Sequence, residues 1–292
     1  MLDIVIDARK AELGPGLTVR RVLPFAQRRM VGPFIFLDHA GPVKLAPEAA
    51  RPADVRPHPH IGLSTVSYLL HGAVTHRDSL GVEQVIRPGE VNWMTAGRGI
   101  SHSERFEDPA AFAGDGLELL QSWVALPEAF EETDPAFNNY PVRALPELQD
   151  AGVWMRLIAG DAFGLRSPVL THSPLFYLHA RLSDGSRIGL PERHAERAAY
   201  VVSGGLEFEG GVFRPGQMLV FAAGSDPSLR AVAPSTVMLL GGEPLGLRHI
   251  WWNFVSSRKE RIEQAKADWK AGRIALPPND RSEFIPLPEG GP

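Results

Sequence analysis

The 292-residue chain contains no cysteine. Disulfides, thiolate metal ligands and cysteine nucleophiles are therefore excluded, and any metal must be held by nitrogen and oxygen. Long apolar runs are also missing: no stretch reaches 18 residues, so no membrane-spanning helix is expected. The N-terminal MLDIVIDARKAELGPG lacks a basic segment followed by a long apolar one, so no signal peptide is expected and a cytoplasmic location is the default. Positive charge is not in excess. A formal net charge of −4 argues against direct nucleic-acid binding, which calls for a basic stripe.

Helical periodicity is scarce, and strand signals fill the chain. Apolar or alternating runs of four to eight residues, such as FIFLDHA, TVSYLLHGAVTH, VNWMTAG, LQSWVAL, LFYLHARL and QMLVFAAG, sit between Gly, Pro, Asn and Asp turns. The 29 glycines and 26 prolines are spread rather than clustered, which suits many short strands of an all-β sandwich or barrel. One helix is expected near the end, in SSRKERIEQAKADWKAG. Ser257 and Glu260 have capping-box spacing, Ile262, Ala265 and Trp269 share a face, and Gly272 closes it. The polar, proline-bounded LPEAFEETDPAFNNYP reads as a linker between two units, and the tail from Leu276 as a surface wrap or a frayed end.

A frame occurs twice. RPGEVNWMTAG (87–97) matches RPGQMLVFAAG (214–224), and upstream YLLHG (68–72) matches YVVSG (200–204). Two similar β domains in tandem follow. The expected division is 1–130, 131–250, and a helix with tail over 251–292.

The first copy carries chemistry that the second does not. RPHPHIGLSTVSYLLHG places His58 and His60 two apart just before a strand, and TAGRGISHSERF places His102 and Glu104 two apart just after the hairpin. Side chains at i and i+2 of a strand share a face. If the two flanking strands are neighbours, three imidazoles and one carboxylate converge. Such a sulfur-free set suits Fe, Mn, Ni, Cu or Zn, with room for open coordination positions. A closed tetrahedral zinc site without turnover is the structural alternative. In the second copy Leu190, Glu192, Leu229 and Ala231 occupy the four places, so one metal in the first domain and none in the second is expected. His194 lies near but out of phase.

Among the other residues, His76 is expected to be exposed, with a place at the pocket mouth as the alternative, His71 solvent-facing, and His39 engaged in a structural hydrogen bond, with a pocket role as the alternative. Arg98 fits either turn stabilisation or substrate orientation. Trp251 and Trp252 read as domain packing, and His172, His179 and His249 carry no partner spacing.

On the stretches GPFIFLDHAGP, HPHIGLSTVSYLLHG, RPGEVNWMTAGRGISHSE, LQSWVALP and LLGGEPLG, the chain resembles the pirin family of the cupin superfamily. HIWWNFVSSRKERIEQAKADW is similar to the close of its bacterial members. The resemblance implies an all-β bicupin, two tandem cupin β-barrels with a C-terminal helix, whose first barrel binds metal through His58, His60, His102 and Glu104. It implies Fe(II) first, with Mn, Ni, Cu, Co or Zn as alternatives, and a quercetin 2,3-dioxygenase-like activity on a flavonol or other small enolic aromatic with O2. In that reaction Glu104 doubles as general base. The other activity it implies is that of a redox-sensitive regulatory protein whose metal tunes affinity for a protein partner. A monomer is expected. The chain departs from the common cupin pattern at Ser64, where a glutamate is frequent, which leaves Glu104 as the carboxylate ligand. It departs again at His71, where relatives often carry an acidic residue.

Overall fold

The computed structural model describes residues 1–14, 17–44, 53–108 and 116–289. The architecture is all-β with one α-helix among the described residues, Lys259–Lys270. The chain folds into two compact units. The site-bearing unit comprises Lys10–Val19, Asp38–Tyr140 and Leu245–Pro292; the companion comprises Met1–Arg9, Arg20–Leu37 and Pro141–Pro244. The units are thus interleaved in sequence, unlike the contiguous division expected. The physical reason is strand pairing: Leu2–Asp7 is an edge strand of the companion sheet, hydrogen-bonded to Gln217–Phe221.

Each unit is built on two antiparallel sheets that keep free edges, so they are open cupin-like sandwiches rather than closed barrels. In the site-bearing unit a four-stranded sheet runs in the order Val55–His60, Ile100–Arg105, Val74–Asp78, Glu83–Ile86. The seven-stranded sheet runs Ala136–Tyr140, Val91–Thr95, Leu63–His71, Leu117–Ala125, Phe34–Val43, Leu17–Leu23, Arg9–Gly14; of the last three strands, residues 38–43, 17–19 and 10–14 belong to this unit. Leu17, Val19, Leu69, Val74, Ile86, Phe106, Leu117 and Leu119 form a buried apolar cluster there.

The segment read as a linker is part of this fold. Ala136–Tyr140 pairs with Val91–Thr95 and forms the sheet edge, and Glu131 is buried. Its polarity misleads because an edge strand has one solvated side and because its polar residues have partners: Asn139 Nδ2 donates to Asn92 Oδ1 at 2.9 Å. The helix forms where expected and buries Ile262, Ala265 and Trp269 against Ile61 and Phe254. Gly272 follows it with φ +68°. The capping box does not form. Ser257 donates its N–H and its hydroxyl to Glu131 at 2.7 and 3.1 Å, which takes it away from the helix N-terminus. Trp251 and Trp252 pack onto this same helix cluster within one unit. The tail wraps rather than frays over its described part: Ile285 N donates to Pro57 O at 2.8 Å, and Trp269 Nε1 to Ile285 O at 3.0 Å.

In the companion unit the ligand places are apolar or outward. Leu190, Leu229 and Ala231 belong to its hydrophobic core and Glu192 is exposed. His194 is buried but donates from Nε2 to the carbonyl of Asp161 at 3.1 Å.

Candidate metal centre

The strand VRPHPH contains two prolines, which cannot donate to a ladder. It is accommodated because it is the edge of the four-stranded sheet, with the tail contact of Ile285 on the Pro57 carbonyl. The neighbouring strand carries ISHSER, and the antiparallel register sets His102 opposite His58 and Ile100 opposite His60. The turn entering that strand needs glycine. Gly97 has φ +50°, and a Cβ there would stand 2.0 Å from the carbonyl oxygen of Thr133. On its far face the strand is anchored by the tail: Arg105 makes paired bonds of 2.8 Å to Asp280, and Ser103 donates to Asp280 at 2.6 Å.

The three imidazoles converge. Among the described residues, His58, His60 and His102 form the cluster whose donor atoms all lie within 4.8 Å of one another, with ring centroids 4.5 to 5.0 Å apart. His60 Nε2 and His102 Nε2 are 3.1 Å apart. His58 Nδ1 lies 2.9 Å from the carbonyl of Arg56, which can only accept, so Nδ1 carries the proton and Nε2 is left as the donor atom. All three rings are buried. Burial depresses the pKa of His58 to about 4, and burial followed by mutual repulsion pushes His60 and His102 well below the ordinary histidine value. Three buried, neutral imidazoles sharing one focus fit a divalent transition metal.

Glu104 is on the same strand and buried; the Ser67 hydroxyl lies 3.3 Å from its Oε1, and its carboxylate is outside the group of three imidazoles. The register shifts between His102 and Glu104, so that Glu104 opposes Val55. Burial raises its pKa to about 7, opposed in part by the Ser67 hydrogen bond.

His76, expected at the surface, is buried 3.2 Å from His102, Nδ1 to Nδ1, and bonds Asp78 through Nε2 at 3.0 Å. The signal for it was an H-x-D pair on a strand, THRD, with the same i, i+2 logic as the ligand pairs. Across the seven-stranded sheet, register aligns Phe137, Met94, Thr65 and Trp123 in one row and Asn139, Asn92, Ser67 and Gln121 in the next. Trp123 meets His60 edge-on at 5.2 Å, and Phe137 stacks on His76 at 4.4 Å. No short-range pattern links these rows, because they are assembled from four strands.

His39 makes the expected structural contact, donating to Glu118 at 3.0 Å. His71 is partly exposed and 3.9 Å from the same carboxylate. Arg98 serves its turn: its N–H bonds Thr133 O at 3.0 Å, and its exposed guanidinium pairs with Asp134.

Two two-sheet units, one carrying the three-imidazole cluster and one filled with apolar side chains, define a bicupin whose candidate metal site, among the described residues, lies in the first of them. The family profile described as Pirin matches residues 16–124, that of the Pirin C-terminal cupin domain matches 177–275, and the chain belongs to the pirin family. It is 56% identical over 290 residues to a pirin-like protein of Caulobacter vibrioides, covering 99% of this chain and 100% of the relative. Two crystal structures of quercetin 2,3-dioxygenase from Acinetobacter baumannii superpose on it. One is 33% identical with a TM-score of 0.87, covering 98% of this chain and 94% of that one. The other is 28% identical with a TM-score of 0.85, covering 94% and 98%.

Proposed function

We propose that the protein is a metal-dependent dioxygenase acting on flavonol-like, enolic aromatic substrates with O2. The observation that carries this reading is the buried, neutral three-imidazole cluster with Glu104 two residues further along the ligand strand. Likeness to the quercetin 2,3-dioxygenase structures supports the substrate class. His58, His60 and His102 would hold the metal, with Fe(II) the first choice, and Glu104 is the buried carboxylate beside them on the ligand strand. When bound, the metal supplies Lewis acidity toward the enolic oxygens and the electron chemistry of dioxygen.

The protein's own groups do the rest. Trp123, Met94 and Phe137 provide an apolar wall beside the histidines, which excludes water and presents flat surfaces to an aromatic ring. Glu104, with a pKa near 7 in the metal-free site, takes the substrate's hydroxyl proton, leaving an electron-rich enolate for attack by O2. With a metal held by the three histidines, the Glu104 carboxyl would ionise more readily. Ser67 orients Glu104, its hydroxyl 3.3 Å from Oε1, and the side-chain amide of Gln121 stands 2.8 Å from the same hydroxyl oxygen.

The test is metal analysis of anaerobically purified protein followed by oxygen uptake with quercetin. A redox-active metal near one equivalent and flavonol-dependent uptake are expected, both lost in His102→Ala. Turnover surviving in a metal-free His102→Ala protein, or a loaded wild type that consumes no oxygen with any flavonol, overturns the reading.

A further inference from the structure

We infer that His76 and Asp78 are positioning residues that fix which nitrogen of His102 faces the metal; the inference rests on reading His102 as a ligand. Both lie on the Val74–Asp78 strand, which pairs with the ligand strand so that Asp78 opposes His102 and His76 opposes Glu104. Asp78 is fully buried, and its Oδ1 accepts from the backbone N–H groups of Leu80 and Val82 at 2.9 and 3.2 Å. Its Oδ2 stands 3.0 Å from His76 Nε2. Both oxygens of Asp78 face donors, so the contact with His76 is made by an N–H at Nε2. A ligand imidazole that presents Nε2, the atom 3.1 Å from His60 Nε2, carries its proton on Nδ1, and the atom 3.2 Å from that nitrogen is His76 Nδ1, which accepts. Phe137, stacked on His76 at an interplanar angle of 19°, holds the relay ring in plane.

The chain of acceptors therefore runs from a buried carboxylate, through one imidazole, to the ligand. Its direction selects a single tautomer of His102 and makes that ring a stronger donor. Carboxylate–histidine–metal supports of this kind change metal affinity 10- to 100-fold when broken. Here the support carries one additional imidazole.

The experiment uses the full chain and Co(II) as the probe, with affinity read by competition against a chromophoric chelator and geometry by the visible ligand-field spectrum. His76→Leu is expected to weaken Co(II) binding about 10- to 100-fold and to shift the spectrum. His76→Asn, whose Oδ1 stands where Nδ1 stood, is expected to recover most of both. Wild-type affinity and spectrum in His76→Leu, or His76→Asn as weak as His76→Leu, overturns the relay. A measurement without substitution guards against misfolding: long-range 1H–15N spectra of the zinc-loaded wild type are expected to show His76 as the Nε2–H tautomer, and the Nδ1–H form overturns the inference. His102→Ala separates the two readings. Lost Co(II) binding there, with no effect in His76→Leu, removes the relay alone; retained wild-type binding in His102→Ala removes the ligand assignment and the relay with it.

Discussion

At the scale of single residues, burial decides chemistry. The same desolvation that keeps His58 neutral at physiological pH pushes Glu104 toward neutrality, so one environment favours uncharged donors beside a carboxyl able to exchange its proton. The companion unit has an independent case. His179 is buried, opposite Arg156 in the sheet and edge-on to Trp154 at 5.2 Å. Burial, followed by repulsion from Arg156 and Arg181, lowers its pKa to about 3. The folded-state value is below the unfolded one, so the unfolded chain takes up the proton first. Its contribution to stability is full above about pH 6.5 and is lost as pH falls toward 3, at up to about 1.4 kcal/mol per pH unit. His179→Leu is expected to flatten the acid limb of stability between those values, while leaving the pH dependence above 7 unchanged. Denaturant unfolding across pH checks it, and an unchanged acid limb would count against the assignment.

Elements are set by the partners that tertiary structure provides for their ends and edges. Glu131, in a segment that looks like a linker, lies 3.2 Å from the Arg248 guanidinium in a pair almost wholly buried. It also accepts from Ser256 Oγ at 2.8 Å and from both donors of Ser257. One carboxylate thereby ties the edge-strand segment to the entry of the C-terminal helix. Removing one partner of a buried, hydrogen-bonded pair strands the other's charge, at a cost of about 3 to 5 kcal/mol. Glu131→Ala is expected to lower the unfolding free energy by that amount, and Glu131→Gln by less, because the amide oxygen still accepts. Equal, small effects of both variants in denaturant unfolding would contradict this role. Gly97→Ala should also destabilise the hairpin, by more than about 1 kcal/mol, since both its positive φ and the Thr133 carbonyl oppose a side chain. Its test is metal affinity alongside stability, because the turn leads directly into the ligand strand.

For the whole molecule, the proposed metal would be linked to the fold. The proposed ligands come from two strands anchored by the C-terminal tail through Asp280 and Ile285, so a metal that binds only the folded state would stabilise strands and tail together. At a free metal concentration 100 times Kd the gain is about 2.7 kcal/mol. Metal loading is expected to raise the unfolding midpoint of the wild type, chelation to reverse it, and His58→Ala or His102→Ala to abolish the shift. A shift of wild-type size in either variant would place the binding elsewhere. No helix among the described residues is long and apolar enough to cross a membrane.

Local pattern carried a great deal of this. The absence of cysteine, the strand-length apolar runs, the doubled Pro-Gly frame and the i, i+2 spacing of His58 with His60 and of His102 with Glu104 are properties of short stretches, and the period of a strand converts them directly into shared faces. The helical face of Ile262, Ala265 and Trp269 was legible for the same reason. What lies opposite a face is not local. Only strand pairing buries His76 and Asp78 behind His102, makes an edge strand of Ala136–Tyr140, and draws the first strand into the companion sheet. Only tertiary structure sets the Ser67 hydroxyl beside Glu104. Ser257 illustrates the competition: its spacing to Glu260 suits a cap, but a buried carboxylate 126 residues away in sequence takes its donors instead. Spacing sets which side chains can act together, and register between distant strands decides which of them do.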